Sequence, residues 1–282
     1  MRYGFVVPFG DAREFAELAA LGEQHGWDAA FTWEALWGHD AWVSMTAAAM
    51  TTRTIRLGTM LTPVSRIRPW DLASRAASLD RLSNGRLVIG AGLGALHDGW
   101  TAFERDEGRR ARVRKLEECL DVYAGLLRGQ PFGYDGEVYQ VRPTTFGSPP
   151  EPVQKPHPPV WLVGAYVLGR KNQPSLARAA RWDGLIPQRI GDEEGKPQSP
   201  EALAEVVERV RGLRTDSGLA WSGYDVVVEA DSTGEFLTAS TLDQQAWAQA
   251  GATWWVESWW SLPDDDRGHA QLRRRVEWGP PA

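Results

Sequence analysis

The sequence predicts an α/β protein folded as a closed (β/α)8 barrel, the TIM barrel. Two observations carry that expectation. Residues 55–94, IRLGTMLTPVSRIRPWDLASRAASLDRLSNGRLVIGAGLG, read as strand, helix and strand in one short span. Parallel strands need such a helical crossover. The same alternation then recurs along the chain until eight strands are counted in 282 residues, close to the size of about 250 residues usual for this barrel. Nothing suggests a second core, so residues 1–282 read as one domain. A hairpin and a proline-rich insertion, at about 129–159, separate the fourth and fifth strands.

Each element follows from its residues. In the 55–94 unit, residues 55–61 form a β-branched and apolar run. Pro69 opens a helix, because its fixed φ suits the first turn and its missing N–H is unwanted there. Leu72, Ala76 and Leu79 recur on one helical face. Asn84-Gly85 ends the helix with residues that tolerate left-handed φ. Residues 87–91 make the next strand and run into Gly92-Leu93-Gly94.

Upstream, residues 3–7 are apolar on both alternations, as a strand buried on both faces should be. Asp11 caps a helix through Gln24 whose inner face carries Phe15, Leu18 and Leu21. Residues 28–33 form the second strand, and Asp40 caps a helix to about Thr51. Downstream, a helix over 109–128 buries Val113, Leu116, Leu120, Tyr123 and Leu127. Asp135-Gly136 predicts a two-residue hairpin turn between 132–134 and 137–141. The proline-dense tract 143–159 is an extended crossing segment. Strands follow at 160–163, 184–187, 225–229 and 253–257, with helices at 175–181, 200–214 and 242–250 and a last helix at 269–278.

Bulk properties bound the partners. A formal charge of −6 with interspersed signs argues against nucleic acid. No run approaches the roughly 18 apolar residues of a membrane span, and the N-terminal residues do not read as a secretory leader. Cys119, the lone cysteine, rules out an internal disulfide framework and suits a reducing cytoplasm, the expected location. It sits mid-helix, where packing is its reading. Fifteen tryptophans point to an aromatic interior or pocket.

In such a barrel, chemistry belongs at the C-terminal ends of the strands. Four proton-transfer candidates survive that filter: Glu34, His39, His97 and Asp98. A carboxyl walled by Trp33 and Trp37 would have a raised pKa if buried, which suits general acid or base work. Alternatively, Glu34 pairs with Arg66 or Arg68. Gly92, Gly94 and Gly164-Ala165 remove side chains where a flat or anionic ligand could approach backbone. Arg170 and Lys171 precede a helix at Ser175 whose N-terminus would favour a phosphate, or they form a solvated loop. Strand parity turns one of Trp254 and Trp255 inward; Trp259 and Trp260 roof a pocket or bury the C-terminal segment. No HxxxH, CxxC or GxSxG pattern occurs, against metal or serine-hydrolase catalysis.

The ordered motifs LGTMLTP, RPWDLASRAASLDRLSNGRLVIGAGLG, RARVRKLEECLDVYAGLL, GYDGEVYQV, PEPVQKPHPPVWLVG, ARAARWDGLIP and GATWWVES together resemble the luciferase-like monooxygenases, flavin- or deazaflavin-dependent (β/α)8 barrels. The resemblance implies a flavin-type ring in the barrel mouth and a phosphate held by backbone after the fifth and sixth strands. Thr59-Met60 matches the bulge where the family often carries a non-proline cis peptide under the ring. Gly92 and Leu93 match its edge, Gly164 and Ala165 the phosphate turn, and Pro187 the sixth strand's meeting with the cofactor; Arg170 joins this cofactor set. Glu34 and His97 are then the acid–base candidates, with Trp33, Trp37 and Trp255 as substrate-pocket walls.

Three departures narrow the chemistry. Ala35 stands where many deazaflavin-using dehydrogenases have a histidine, Ala95 where they have a glutamate, and Leu93 where luciferases place an arginine. The first reading implied is an FMN-type monooxygenase for a small hydrophobic substrate, fed reduced flavin by a reductase. The second is hydride transfer with coenzyme F420, whose acidic tail would meet Arg66, Arg68, Arg170 and Lys171. The third is a flavin-binding barrel without turnover. The family also implies a homodimer through helices near the second and third strands.

Overall fold

The computed structural model describes residues 1–94, 99–144, 147, 150–191, 194–197, 199–232 and 244–281. The chain runs β1 (Arg2–Val6), α1 (Ala12–Gln24), β2 (Ala29–Thr32), α2 (Ala41–Thr51), β3 (Arg56–Pro63), α3 (Pro69–Ser83), β4 (Leu87–Gly92) and α4 (Arg109–Arg128). A small hairpin follows, β5 (Tyr134–Asp135) with β6 (Gln140–Val141). The chain continues through β7 (Val160–Val167), α5 (Pro174–Ala179), β8 (Gly184–Ile190), β9 (Glu194–Gly195) and α6 (Pro200–Asp216). It finishes with β10 (Asp225–Ala230), α7 (Gln244–Gln249), β11 (Trp254–Ser258) and α8 (Asp266–Trp278). The parallel strands pair in the order β10-β11-β1-β2-β3-β4-β7-β8, and β8 pairs back to β10. The expected eight-stranded barrel is therefore closed. No helix among the described residues is long and apolar enough to cross a membrane.

The predicted caps are where the helices begin. Asp11 accepts the N–H groups of Arg13 and Glu14, and Asp40 those of Trp42 and Val43, satisfying donors that the first turn leaves unpaired. Asn84 ends α3 at φ 57°.

Two tryptophans explain much of the unusual composition. Trp161 and Trp254 meet inside the barrel with ring centroids 5.1 Å apart, beside Phe31. Glycines on the lining strands make room: a Cβ on Gly58 would lie 2.7 Å from the Phe31 ring, and one on Gly184 2.5 Å from Trp161. The aromatic plug fills the lower barrel and leaves the upper end open. A second apolar shell lies between strands and helices.

Several sequence expectations are corrected. β7 does not stop at Gly164 but pairs with β8 from Trp161↔Gly184 to Val167↔Ile190. Gly164 sits within the strand because a Cβ there would lie 2.5 Å from Leu185 and 3.0 Å from Ala179. Asp135-Gly136 is not a two-residue turn: Asp135 pairs with Gln140, and the Gly136 N–H reaches Tyr139. The cause is Glu118 on α4, whose buried carboxylate accepts the N–H groups of Glu137, Val138 and Tyr139. Asp80 likewise fastens the proline-rich tract to α3 by accepting from the Gln154 backbone and side chain. α8 begins at Asp266, capped by Asp265, rather than at His269. Leu242, expected to open a helix, lies outside the described residues, where α7 is seen from Gln244.

Candidate active site

The plug leaves a cavity of about 800 Å³ at the C-terminal ends of the strands. That is ample for a cofactor-sized ligand. Met60, Leu61, Val163 and Ile186 give it an apolar lining, with Gly92 and Leu93 beside them. A Cβ on Gly92 would lie 3.0 Å from Leu61 and 3.4 Å from Val163, so the glycine keeps this space open.

The end of β3 shapes that lining. Its register against β4 shifts between Thr59 and Thr62, leaving Met60 and Leu61 out of the ladder. The peptide bond between Met60 and Leu61 is cis, one residue beyond the Thr59-Met60 position implied by the resemblance. Thr59 is fully buried below the cavity. Its hydroxyl donates to the Gly90 carbonyl at 3.1 Å and accepts from the Thr62 hydroxyl at 2.9 Å.

Glu34 lies just beyond β2 and lines the cavity. Its Oε1 accepts the Trp42 indole N–H at 3.3 Å and stands 3.8 Å from an Arg75 guanidinium nitrogen. Its Oε2 is buried without a hydrogen-bond partner among the described residues. The ion-pair partner is thus Arg75 on α3, not Arg66 or Arg68 as the sequence suggested. Burial pushes the Glu34 carboxyl above its usual range; the Thr62 hydroxyl, Arg75 and Trp42 oppose the rise, and Asp40 adds to it. Burial of a half-satisfied carboxyl moves its balance toward the proton-holding form.

The cavity is polarised. On one side, Trp33 and Trp260 meet edge to face with centroids 6.4 Å apart. Trp33 is pinned by donation to the Pro8 carbonyl at 2.8 Å. Trp260 donates to Glu229 at 2.7 Å, and Lys196 reaches the same carboxylate oxygen at 2.6 Å. On the other side stand Arg66, Arg109 and Arg178, the last paired with Glu117 at 2.7 Å.

The predicted residues divide accordingly. Glu34, Met60, Gly92, Leu93, Ala165 and Trp33 are brought together around the cavity. Ala165 shows it a methyl group, while its N–H already donates to the Ser175 hydroxyl at 3.0 Å. Gly164 and Pro187 face outward on their strands, next to cavity-lining Val163, Ala165, Ile186 and Gln188. Arg170 is exposed and away from the cavity because Gln173 fastens its loop, donating to the carbonyls of Val167 and Arg170. Trp37 is 76% exposed and does not line the cavity.

Trp255 is no pocket wall. It points outward, buried against Trp247 and donating to Glu257, whereas Trp254 is the inward member of the pair and lies in the plug. Trp259 packs outward near Trp27, so only Trp260 of that pair faces the cavity. His97 and Asp98 lie outside the described residues. His39 is held by Thr32 at 3.1 Å, away from the cavity.

Glu229, Arg109, Arg178 and Gln188 were not singled out as site residues from the sequence. Glu229 and Gln188 are at or near strand ends, and parity from Ile186 would have found Gln188 once β8 was known to be longer. Arg109 and Arg178 sit on helices, where spacing gives no sign that they reach the mouth.

Fold and site define a barrel protein whose ligand chamber, at the C-terminal strand ends, combines an apolar lining, a buried acid and a basic rim. The family model for luciferase-like monooxygenases matches residues 1–275, and the chain belongs to that family. It is 29% identical over 204 residues to the oxygenase component of a flavin-dependent trigonelline monooxygenase from Acinetobacter baylyi, covering 64% of this chain and 50% of that protein. It is 30% identical over 169 residues to an F420-dependent glucose-6-phosphate dehydrogenase from Nakamurella multipartita, covering 54% and 49%. The chain spans about half the length of these curated relatives. Its fold is similar to that of the F420-dependent tetrahydromethanopterin reductase from Methanopyrus kandleri, with a TM-score of 0.74 and 15% identity over 98% of this chain and 96% of that one.

Proposed function

We propose that the protein is a flavin-dependent monooxygenase that uses reduced FMN and oxygen on a small, hydrophobic organic substrate. The observation that carries this reading is Glu34: a buried acid whose pKa burial raises, at the edge of an apolar chamber with Trp33 and Trp260 in its wall. Alcohol dehydrogenation needs a base to take the hydroxyl proton. Among the described residues no histidine lines the cavity, and Ala35 follows Glu34.

The residues present fit a flavin. Met60, Leu61, Gly92, Leu93 and Val163 would hold its flat ring, and Gly92 keeps the slot clear. Arg66, Arg109 and Arg178 would hold its anionic end, since guanidinium groups suit phosphate. Bound reduced FMN supplies the electrons that activate oxygen. The protein's share is to exclude water with its apolar walls, place the substrate beside Trp33 and Trp260, and hold a proton on Glu34. A flavin reductase would be the partner that delivers the reduced cofactor.

The same three arginines favour a second reading, in which F420 binds by its acidic tail and donates hydride. Anaerobic loading with reduced FMN followed by oxygen-uptake measurement separates the two. Substrate-dependent uptake supports the first. Hydride transfer from reduced F420 without oxygen supports the second, and a barrel that binds flavin without turnover does neither.

A homodimer through α2 is also proposed. Val43, Ala47 and Met50 follow one another on a single outward face of that helix, with Val43 and Met50 largely exposed. Thr46 shares that face, and apolar side chains exposed together mark an interaction surface.

A further inference from the structure

We propose that Trp42 and Arg75 are positioning residues that anchor Glu34 through Oε1, leaving Oε2 as the oxygen that carries the proton. The inference rests on the reading of Glu34 as the proton-holding group. Both contacts converge on one oxygen: the Trp42 indole N–H at 3.3 Å and the Arg75 guanidinium at 3.8 Å. An oxygen that already accepts from a donor and faces a cation is the poorer place for a hydrogen. Among the described residues Oε2 is buried and accepts no hydrogen bond, which makes it the better place for the hydrogen. When the carboxyl ionises, the charge left on it is met by Trp42 and Arg75.

The anchors are themselves held. Trp42 is buried in the first turn of α2, where Asp40 caps its backbone N–H. Arg75 projects from α3 with its side chain 45% exposed. The remaining groups that bear on the carboxyl are the Thr62 hydroxyl from β3 and the Asp40 carboxylate at the start of α2. Asp40 opposes ionisation of Glu34, whereas Trp42, Arg75 and Thr62 favour it.

The test uses the cofactor-free full chain and pH-difference infrared spectroscopy. The protonated-carboxyl band lost in Glu34→Gln identifies Glu34 and gives its titration midpoint without turnover. Trp42→Phe and Arg75→Gln should each raise that midpoint by about one pH unit, the effect of losing one contact to the charged form. Arg75→Lys should bring the midpoint most of the way back to the parent value. Midpoints unmoved in the variants, or no band that depends on Glu34, overturn the inference. Should Trp42→Phe fail to fold, Arg75→Gln decides alone, because that side chain is half in solvent. If the midpoints move while Glu34→Gln turns over normally, the anchoring stands and the catalytic reading fails.

Discussion

The backbone N–H of Glu34 donates to the carbonyl of Leu61 at 3.3 Å. The acid's main chain is thus tied to the irregular end of β3, whose side chains Met60 and Leu61 line the cavity. Acid and lining are positioned by one local structure. A ligand resting on Met60 and Leu61 therefore has a fixed relation to Glu34, which makes proton delivery to a set place physically reasonable.

Removing the acid tests its role. Glu34→Gln should lower turnover by about 10²-fold or more, the scale of general acid–base catalysis. Cofactor affinity should stay within about twofold, which equilibrium titration checks. Because burial raises the Glu34 pKa, the acid form persists to higher pH than for an exposed glutamate. Activity should fall as pH rises through that value, and the variant should lack this limb.

Gly92 gives a test of the ring slot. A Val side chain there would press on Leu61 and Val163, where the Cβ alone already lies at 3.0 and 3.4 Å. Gly92→Val should weaken flavin binding by about tenfold, as overpacking commonly costs 1–3 kcal/mol. Unchanged affinity in calorimetric titration would place the ring elsewhere.

Stability should carry a pH signature from the contact between the first and last helices. His269 on α8 lies between Glu14 of α1 and Asp264. Burial alone would lower its pKa, but its bonds to Asp264 and Glu14 outweigh that and raise it. A group with a raised folded pKa stabilises fully below its unfolded value, about 6.5, and loses that contribution as pH rises through the folded value. His269→Gln should therefore unfold at lower denaturant than the parent at about pH 5.5, with the gap narrowing in alkali. A gap independent of pH would assign the loss to packing.

The barrel was legible because its evidence is local and repeated: caps at Asp11 and Asp40, the Asn84 stop, and strand-length apolar runs. What the sequence misplaced depends on partners distant in the chain. Whether Trp254 or Trp255 faces inward turns on one residue of register against β1 and β10. The hairpin turn moved because Glu118, on another element, collected three backbone N–H groups. Gly164 looked like a phosphate turn, yet its missing side chain makes room for Leu185 and Ala179. Glu34 was found from its strand end, but its partners Trp42 and Arg75 come from two helices and had no signature in spacing.

The apolar face of α2 yields a prediction about assembly. Met50→Glu should shift the protein from dimer to monomer in light scattering at micromolar concentration, with little effect on thermal stability. A parent protein that is already monomeric would refute the proposed interface.

The most direct measurement is anaerobic equilibrium dialysis of the chain against reduced FMN and, separately, reduced F420, followed by admission of oxygen and substrate. The expected result is one FMN per chain, bound with a Kd on the order of micromolar, and oxygen consumption that requires substrate. Binding of neither cofactor, or binding of F420 alone with no oxygen uptake, would contradict the monooxygenase reading.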